Sequence, residues 1–244
     1  MPNFQLIIEY NGTNFNGWGK QPRLRTVCGE LEKAFFAIFK TPVNITCAGR
    51  TDKGVHATGQ CANIRLPDEI LPEKLLLRLN SLLPTDINVK IVKAVNDCFD
   101  ARKSAKSKTY TYIIYNSPIR SALQENRSWH VAQPLDIKLM KTAAKFLQAK
   151  RDCSAFDSYN SVFDYKIVDL QHVSISKNGN FITISVTADH FLYKMVRKMV
   201  GEIVKIGKKE LPLAEFKSTV LSKNCSKSTK PAPPHGLYLT KVSY

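Results

Sequence analysis

An aspartate between two glycines is the first residue of this sequence whose surroundings suit chemistry. Asp52 lies in the segment Gly49-Arg-Thr-Asp-Lys-Gly54 and directly follows a predicted strand over residues 43–48. Glycine lets the backbone take positive φ values and pass close to a ligand, and rigid scaffolds present reactive groups on loops at strand ends. An Asp beside a Gly more often hydrogen-bonds its own backbone in an Asx-turn. The local pattern therefore leaves a structural and a catalytic interpretation open.

An arginine at the border of an apolar helix stripe is the second candidate. Residues 191–206 predict a helix with a continuous apolar stripe from Leu192 to Ile203, and Arg197 lies at its edge. A border arginine can bury its stem and direct its guanidinium to a carboxylate, whereas a solvated basic face explains the same pattern. Three lysines are predicted on the outer face of this helix: Lys194, Lys198 and Lys205.

Two tyrosines alternate in a predicted strand over residues 109–115, so Tyr110 and Tyr112 project from the same face. Four basic residues lie just upstream: Arg102, Lys103, Lys106 and Lys108. Aromatic rings near cations suit the stacking of nucleobases beside phosphates. Ordinary core packing of strand aromatics is the alternative that the pattern leaves open.

Strands and helices alternate in both halves of the chain and would position these residues. Periodicity and turn signals predict strands over residues 4–10, 43–48, 59–66, 87–91, 109–115, 167–176, 181–188 and 237–243. Helices are predicted over residues 26–39, 72–82, 136–147 and 191–206. This mixture predicts an α+β fold with a boundary near residues 98–106.

Charge and composition narrow the class of partner. The 244 residues include 36 Lys and Arg against 20 Asp and Glu, a formal net charge of +16. Such a surface favours polyanions such as nucleic acids, although a solvated basic surface has the same composition. A hydrophobic content of 43% with only 11 Gly and 12 Pro excludes the disordered and collagen-like classes.

Signals for a membrane, a metal or a nucleotide cofactor are missing from the sequence. The segment Met1–Tyr10 lacks the features of a signal peptide, and no apolar run approaches the length of a membrane span, so we expect a cytosolic chain that begins near Met1 and has no membrane partner. The six cysteines are widely spaced and expected to be reduced, and the five histidines have no metal-ligand spacing. No phosphate-binding glycine motif occurs.

A series of segments in order along the chain resembles one known family, the TruA-type tRNA pseudouridine synthases. The signature-like segment is Cys47-Ala-Gly-Arg-Thr-Asp-Lys-Gly-Val-His-Ala-Thr-Gly-Gln60. Seven further segments resemble the family in the same order: Tyr10–Trp18, Arg25–Glu32, Phe99–Arg102, Tyr110–Tyr112, Ser154–Phe156, Phe191–Arg197 and Ala232–Tyr238. These matches extend from residue 10 to the end of the chain.

The resemblance implies a role for four residues. Asp52 would be the catalytic nucleophile, flanked by Arg50. Tyr110 would stack on the target uracil, and Arg197 would pair with Asp52. A nearby arginine favours the ionised carboxylate, and an aromatic partner offsets the cost of taking a base out of its stack.

The resemblance also implies an architecture and a substrate. Two α/β halves, residues 1–102 with the catalytic loop and residues 103–244, would share a mixed, largely antiparallel sheet with helices packed on one face and a basic cleft between the halves. Enzymes of this family isomerise uridines at positions 38, 39 and 40 in the anticodon arm of tRNA. They act as homodimers and use neither a metal nor an organic cofactor.

Three residues depart from the family pattern. Lys53 follows the catalytic Asp where a small residue is usual, Gly19 replaces a common Gln, and Asn11 replaces a common Asp. None of them removes a predicted catalytic group. Two alternatives to the tRNA isomerase stay open: a non-catalytic RNA-binding module, and a pseudouridine synthase that acts on another RNA.

Overall fold

The chain folds into two compact units. The computed structural model describes residues 1–157, 166–222 and 230–244. The first unit comprises Met1–Lys106 together with Tyr238–Tyr244, and the second comprises Ser107–Leu237. Cys225, expected to be a reduced thiol, lies outside the described residues. The division into halves at residues 1–102 and 103–244 stays a prediction.

Strands and helices alternate through the described residues, and the predicted α+β class is confirmed. The ten strands described are β1 (Asn3–Tyr10), β2 (Ile45–Cys47), β3 (His56–Arg65), β4 (Ile87–Val95), β5 (Ser107–Asn116), β6 (Trp129–Val131), β7 (Lys150–Asp152), β8 (Ile167–Asn178), β9 (Phe181–Ala188) and β10 (Leu237–Ser243). The five α-helices described are α1 (Val27–Phe39), α2 (Pro72–Leu82), α3 (Ile137–Leu147), α4 (Met195–Gly207) and α5 (Leu213–Leu221).

The sheet of the first unit is mixed. Its strand order is β4-β1-β3-β10, and β2 pairs with β3 off this path. All of these pairs are antiparallel except β3 with β10, where Tyr238 lies opposite His56 in parallel register. Side chains of β1 alternate between the core and partial exposure, with Leu6 and Ile8 completely buried. This alternation is the period-2 pattern that predicts the strand.

The two helices of the first unit begin where Thr26 and Pro72 predicted. The Thr26 hydroxyl accepts a hydrogen bond from the Gly29 backbone N–H at 3.2 Å, so it satisfies one of the free donors at the start of α1. Leu31 and Phe35, one turn apart on α1, are completely buried. Pro72 begins α2, where its missing N–H is not needed.

The second unit also contains strands that run in mixed directions. Its strand order is β5-β9-β8-β7 with antiparallel pairs, and β6 pairs in parallel with β5. The predicted hairpin between β8 and β9 is confirmed, and Gly179 in its turn has φ +54°. The Asp136 carboxylate caps α3 by accepting from the Lys138 and Leu139 backbone N–H groups.

Helix α4 differs from its prediction in two ways. It begins at Met195 and not at residue 191, because Lys194 has a left-handed backbone at φ 58°. Lys198 was predicted on the outer face of this helix, and that prediction is wrong: its side chain is buried at 8% exposure. Its ammonium group donates to the backbone carbonyl of Asp157, which compensates the buried charge.

Sequence patterns did not predict the short strands β6 and β7 or helix α5. Strands β6 and β7 have three residues each, too few to show alternation, and α5 was not predicted. Within the described ranges, no helix is both long and apolar enough to cross a membrane. The same residues include five cysteines that form no disulfide, of which Cys98 is exposed.

Candidate active site

A tight turn between β2 and β3 holds Asp52. The Asp52 carbonyl accepts a hydrogen bond from the Val55 N–H at 3.1 Å, which places Lys53 and Gly54 at the centre of a four-residue turn. Gly54 has φ +77°, the conformation that a type II turn requires at its third position. Asp52 therefore opens a turn that depends on glycine, and its side chain is half-buried.

The loop over residues 11–19 packs against this turn by backbone. The Trp18 N–H donates to the Thr51 carbonyl at 3.1 Å, and the Gly54 N–H donates to the Phe15 carbonyl at 3.3 Å. A Cβ atom on Gly12 would lie 2.0 Å from the Val55 oxygen, and one on Gly17 would lie 2.6 Å from the Thr51 oxygen. Only glycine allows this approach, so both loops are held in a single arrangement.

Side chains from β1 and β3 fix the two ends of the turn. The Tyr10 and Thr51 hydroxyls are hydrogen-bonded at 2.7 Å in a buried position. His56 is buried at 2% exposure; its Nδ1 accepts from the Gly12 N–H at 3.0 Å, and its ring stacks on Tyr238 at 4.6 Å between centroids. The backbone around Asp52 is thus anchored on both sides by buried hydrogen bonds.

The charged neighbours of Asp52 in sequence lie in solvent. Arg50 and Lys53 are both exposed. The Arg50 side chain passes over Gly19, whose ideal Cβ position is 3.5 Å from the Arg50 Cδ. That distance is an ordinary contact, so a Cβ atom at position 19 fits without displacing Arg50. Lys53 is the second residue of the turn, a position without steric demand for a small side chain.

Both tyrosines of β5 are buried in the second unit. Tyr110 is 8% exposed, and its ring makes an edge-to-face contact with Phe191 at 5.0 Å between centroids. The Tyr112 hydroxyl donates to the Pro233 carbonyl at 2.8 Å, and burial raises the pKa of Tyr112 well above its usual value. Tyr112 is a core residue with a satisfied hydroxyl, whereas Tyr110 keeps a small exposed fraction.

Arg197 is held at the start of α4 by a reciprocal pair of hydrogen bonds. Its Nε donates to the Ala232 carbonyl at 2.7 Å, and its own carbonyl accepts from the Ala232 N–H at 2.9 Å. The next residues along, 233–236, pack on Tyr112: a Cβ on Gly236 would lie 2.6 Å from that ring. The segment 232–236 therefore orients the Arg197 side chain through its Nε.

The four predicted site residues fall into two pairs. Arg50 and Asp52 share one loop of the first unit, while Tyr110 and Arg197 belong to the second. The pairing of Arg197 with Asp52 and the stacking of Tyr110 on uracil stay predictions. The sequence did not predict the hydrogen bonds of Tyr10 and Ala232, since single residues so far from their partners in the chain show no pattern. Gly12 and Gly17 were the residues that could have indicated close packing of the two loops.

Comparison with known proteins decides the family. A family model described as "tRNA pseudouridine synthase" matches residues 6–102 and 143–244. The chain is 41% identical over 244 residues to the tRNA pseudouridine synthase A of Thermoanaerobacter sp. (strain X514), with 100% of both chains covered. This chain belongs to the tRNA pseudouridine synthase family. The corresponding enzyme of Caldicellulosiruptor saccharolyticus is 40% identical and that of Acetivibrio thermocellus 37%, again with 100% of both chains covered.

The family match includes most of the predicted site. Arg50 and Asp52 lie in its first matched segment and Arg197 in its second. Tyr110 falls between them, in the interval 103–142 that only the full-length relatives cover. The predicted TruA-type resemblance is confirmed at the level of the family, and the roles of the individual residues remain for the proposal below.

Proposed function

We propose that this protein converts uridine to pseudouridine at positions 38, 39 and 40 of tRNA, with Asp52 as the nucleophile. The observation that carries the proposal is the full-length match to tRNA pseudouridine synthases. Asp52 is the first residue of the turn between β2 and β3, and backbone hydrogen bonds from the loop over residues 11–19 hold this turn. Groups held by buried hydrogen bonds keep a productive geometry without reorganising during the reaction.

The reaction requires a carboxylate and a flipped base. Uridine must lose its N1–C1′ bond, turn within the site and rejoin the ribose through C5. The Asp52 carboxylate can attack uracil C6 or ribose C1′, or assist elimination to a glycal. The guanidinium of Arg197 would stabilise the ionised carboxylate, and Tyr110 would receive the extruded uracil.

Release of tritium from uridine C5 tests the proposal. Unmodified tRNA labelled at C5 of its uridines is incubated with the protein without added metal or nucleotide. We expect release into water, at sites that map to positions 38 to 40. In Asp52→Ala the rate should fall by about 10⁴-fold or more, since loss of a nucleophile removes the covalent route.

A matched variant controls for the loss of one negative charge. Asp68 is exposed and lies in another loop of the first unit. Replacing it with Ala removes one carboxylate, as Asp52→Ala does. Asp68→Ala should release tritium at the wild-type rate. Tight tRNA binding without any release by the wild-type protein would instead favour the RNA-binding module, and release from another RNA alone would favour the third candidate.

Two further features belong to this proposal. We infer action in the cytosol, and we infer that the protein acts as a homodimer, as the family resemblance implies. Light scattering at micromolar concentration measures the mass of the assembly. A mass near 27.5 kDa, that of one chain, would contradict the dimer.

A further inference from the structure

An ion pair in the first unit connects the start of α1 to the start of β4. The Arg25 guanidinium donates to the Asp86 carboxylate through both terminal nitrogens, from Nη1 to Oδ2 at 2.7 Å and from Nη2 to Oδ1 at 2.8 Å. Arg25 directly precedes Thr26, the cap of α1, and Asp86 directly precedes β4. Two parallel charge-assisted hydrogen bonds fix both the distance and the angle between the two side chains.

This ion pair is partly shielded from solvent. The side chain of Arg25 is 35% exposed and that of Asp86 is 18% exposed. The guanidinium lies over the ring of Phe15, 4.1 Å from its centroid, and Phe15 is buried. The Oε1 atom of Glu30 is a more distant acidic neighbour, 4.0 Å from the Arg25 Nε. Because a cation is attracted to an aromatic face, Arg25 is held by the loop over residues 11–19 as well as by Asp86.

The backbones of the same two residues bind this loop at two points. The Asp86 carbonyl accepts a hydrogen bond from the Asn11 N–H at 3.0 Å, where the loop leaves β1. The Arg25 carbonyl accepts from the Asn16 N–H at 2.9 Å. Strands β1 and β4 pair up to this end of the sheet, so Asp86 stands on a regular element. The ion pair therefore fixes the first residue of the loop relative to its centre.

The loop in turn contacts the turn that begins at Asp52. The Phe15 carbonyl, on the residue whose ring lies under Arg25, accepts from the Gly54 N–H at 3.3 Å. A contact thus leads from the ion pair to Phe15, and a hydrogen bond leads from Phe15 to the turn. A change in the ion pair is expected to move the loop and, with it, the backbone of Asp52.

We propose that Arg25 and Asp86 are a positioning pair, whose ion pair holds the loop over residues 11–19 in the arrangement that places Asp52 for reaction. This inference rests on the proposed function and adds two residues to those that the reaction requires. Both act through the loop and not on the reacting atoms. Since a misplacement of about 1 Å can cost 100-fold in rate, a partial displacement through one loop should cost about tenfold.

A double-mutant cycle on kcat tests the pair. Arg25→Gln and Asp86→Asn each remove one charge, and each should lower kcat for tritium release about tenfold at saturating tRNA, with little change in KM. The double variant should also lose about tenfold and not 100-fold, because residues in contact are not additive. Arg25→Lys keeps the charge without the planar fork and should recover kcat to within about threefold of the wild type.

Lys20 and Glu32 supply the matched control. Their ion pair, at 2.7 Å, also joins the chain just after the loop to α1, but the Lys20 side chain is 71% exposed. Lys20→Gln and Glu32→Gln should leave kcat within about twofold of the wild type, since exposed ion pairs contribute little. A tenfold loss in the control pair would contradict a specific role for Arg25 and Asp86.

Tryptophan fluorescence reports on the loop independently of activity. The chain has two tryptophans, and Trp18 of the loop is 2% exposed, so Trp129→Phe leaves one buried reporter. In that background, Arg25→Gln and Asp86→Asn should increase the quenching of Trp18 by acrylamide, because a loosened loop admits the quencher. Lys20→Gln should not. Melting temperatures of the Arg25 and Asp86 variants should fall by only about 3–6 °C, so the proteins stay folded during the assay.

Three results would overturn the positioning pair. Wild-type kcat in Arg25→Gln and Asp86→Asn, with lower melting temperatures, would make the pair purely structural. A raised KM with a shallower salt dependence in Arg25→Gln, together with wild-type kcat in Asp86→Asn, would assign Arg25 to an RNA phosphate. Additive losses in the double variant would refute the coupling. Absent tritium release by the wild-type protein would refute the proposed function instead, and the quenching of Trp18 would then still decide whether the pair holds the loop.

Discussion

Replacing Gly17 by Ala tests whether packing of the loop over residues 11–19 against the Asp52–Val55 turn sets the position of Asp52. Gly17 has φ +86°, and its new Cβ would lie 2.6 Å from the Thr51 oxygen, whereas ordinary contact begins at 3.4 Å. The left-handed backbone costs a residue with a Cβ about 1–2 kcal/mol, and the overlap adds about 1–3 kcal/mol. Relieving the overlap moves the Thr51–Asp52 backbone by roughly 0.8 Å, and a misplacement of about 1 Å can cost 100-fold in rate.

Gly179→Ala is the matched control for backbone conformation. Gly179 also has a positive φ, +54°, but nothing lies within 4 Å of its ideal Cβ. At about 3 °C per kcal/mol, Gly179→Ala should lower the melting temperature by roughly 3–6 °C and Gly17→Ala by roughly 6–15 °C.

Tritium release then separates stability from positioning. At a temperature where all three proteins are folded, kcat should fall about 100-fold in Gly17→Ala and stay at the wild-type value in Gly179→Ala. Equal losses of melting temperature in the two variants, or a wild-type kcat in Gly17→Ala, would refute the argument that close backbone packing positions Asp52.

Two further predictions concern Arg197 and the thiols. In Arg197→Lys the hydrogen bond from Nε to Ala232 is lost, so kcat should fall by about 10²-fold while the melting temperature falls by only about 3–6 °C; a loss of stability alone would contradict the catalytic pairing. Burial raises the pKa of Cys28 to about 12, so its thiol is protonated at pH 7.5 and iodoacetamide should modify exposed Cys98 first; equal labelling in peptide mass spectra would contradict this.

The sequence predicted an element correctly where a single residue determines how that element begins or turns. Thr26 and Asp136 satisfy the first N–H groups of their helices, and Gly179 permits the hairpin turn, so these elements are confirmed near their predicted bounds. Lys198 shows the limit of a helical wheel: its position looks outward only if nothing packs there, and the Asp157 carbonyl does. Burial of a residue depends on partners that periodicity along one helix cannot show.

The same limit applies to the candidate site. The segment around Asp52 could be a structural turn or a reactive loop, and only its resemblance to a family favoured the second. The structure shows that it is a turn in any case, with the Asp52 carbonyl bonded to Val55.

The return of β10 to the first unit has a consequence for synthesis on the ribosome. His56 and Tyr238 stack on each other although they lie roughly 180 residues apart in sequence. The Tyr244 hydroxyl also donates to the Ala101 carbonyl, and Ser243 accepts from Lys106. The first unit therefore cannot be completed until Tyr238–Tyr244 have been made. The unit that carries Asp52 is begun first, yet it lacks one strand of its sheet until β10 has been made.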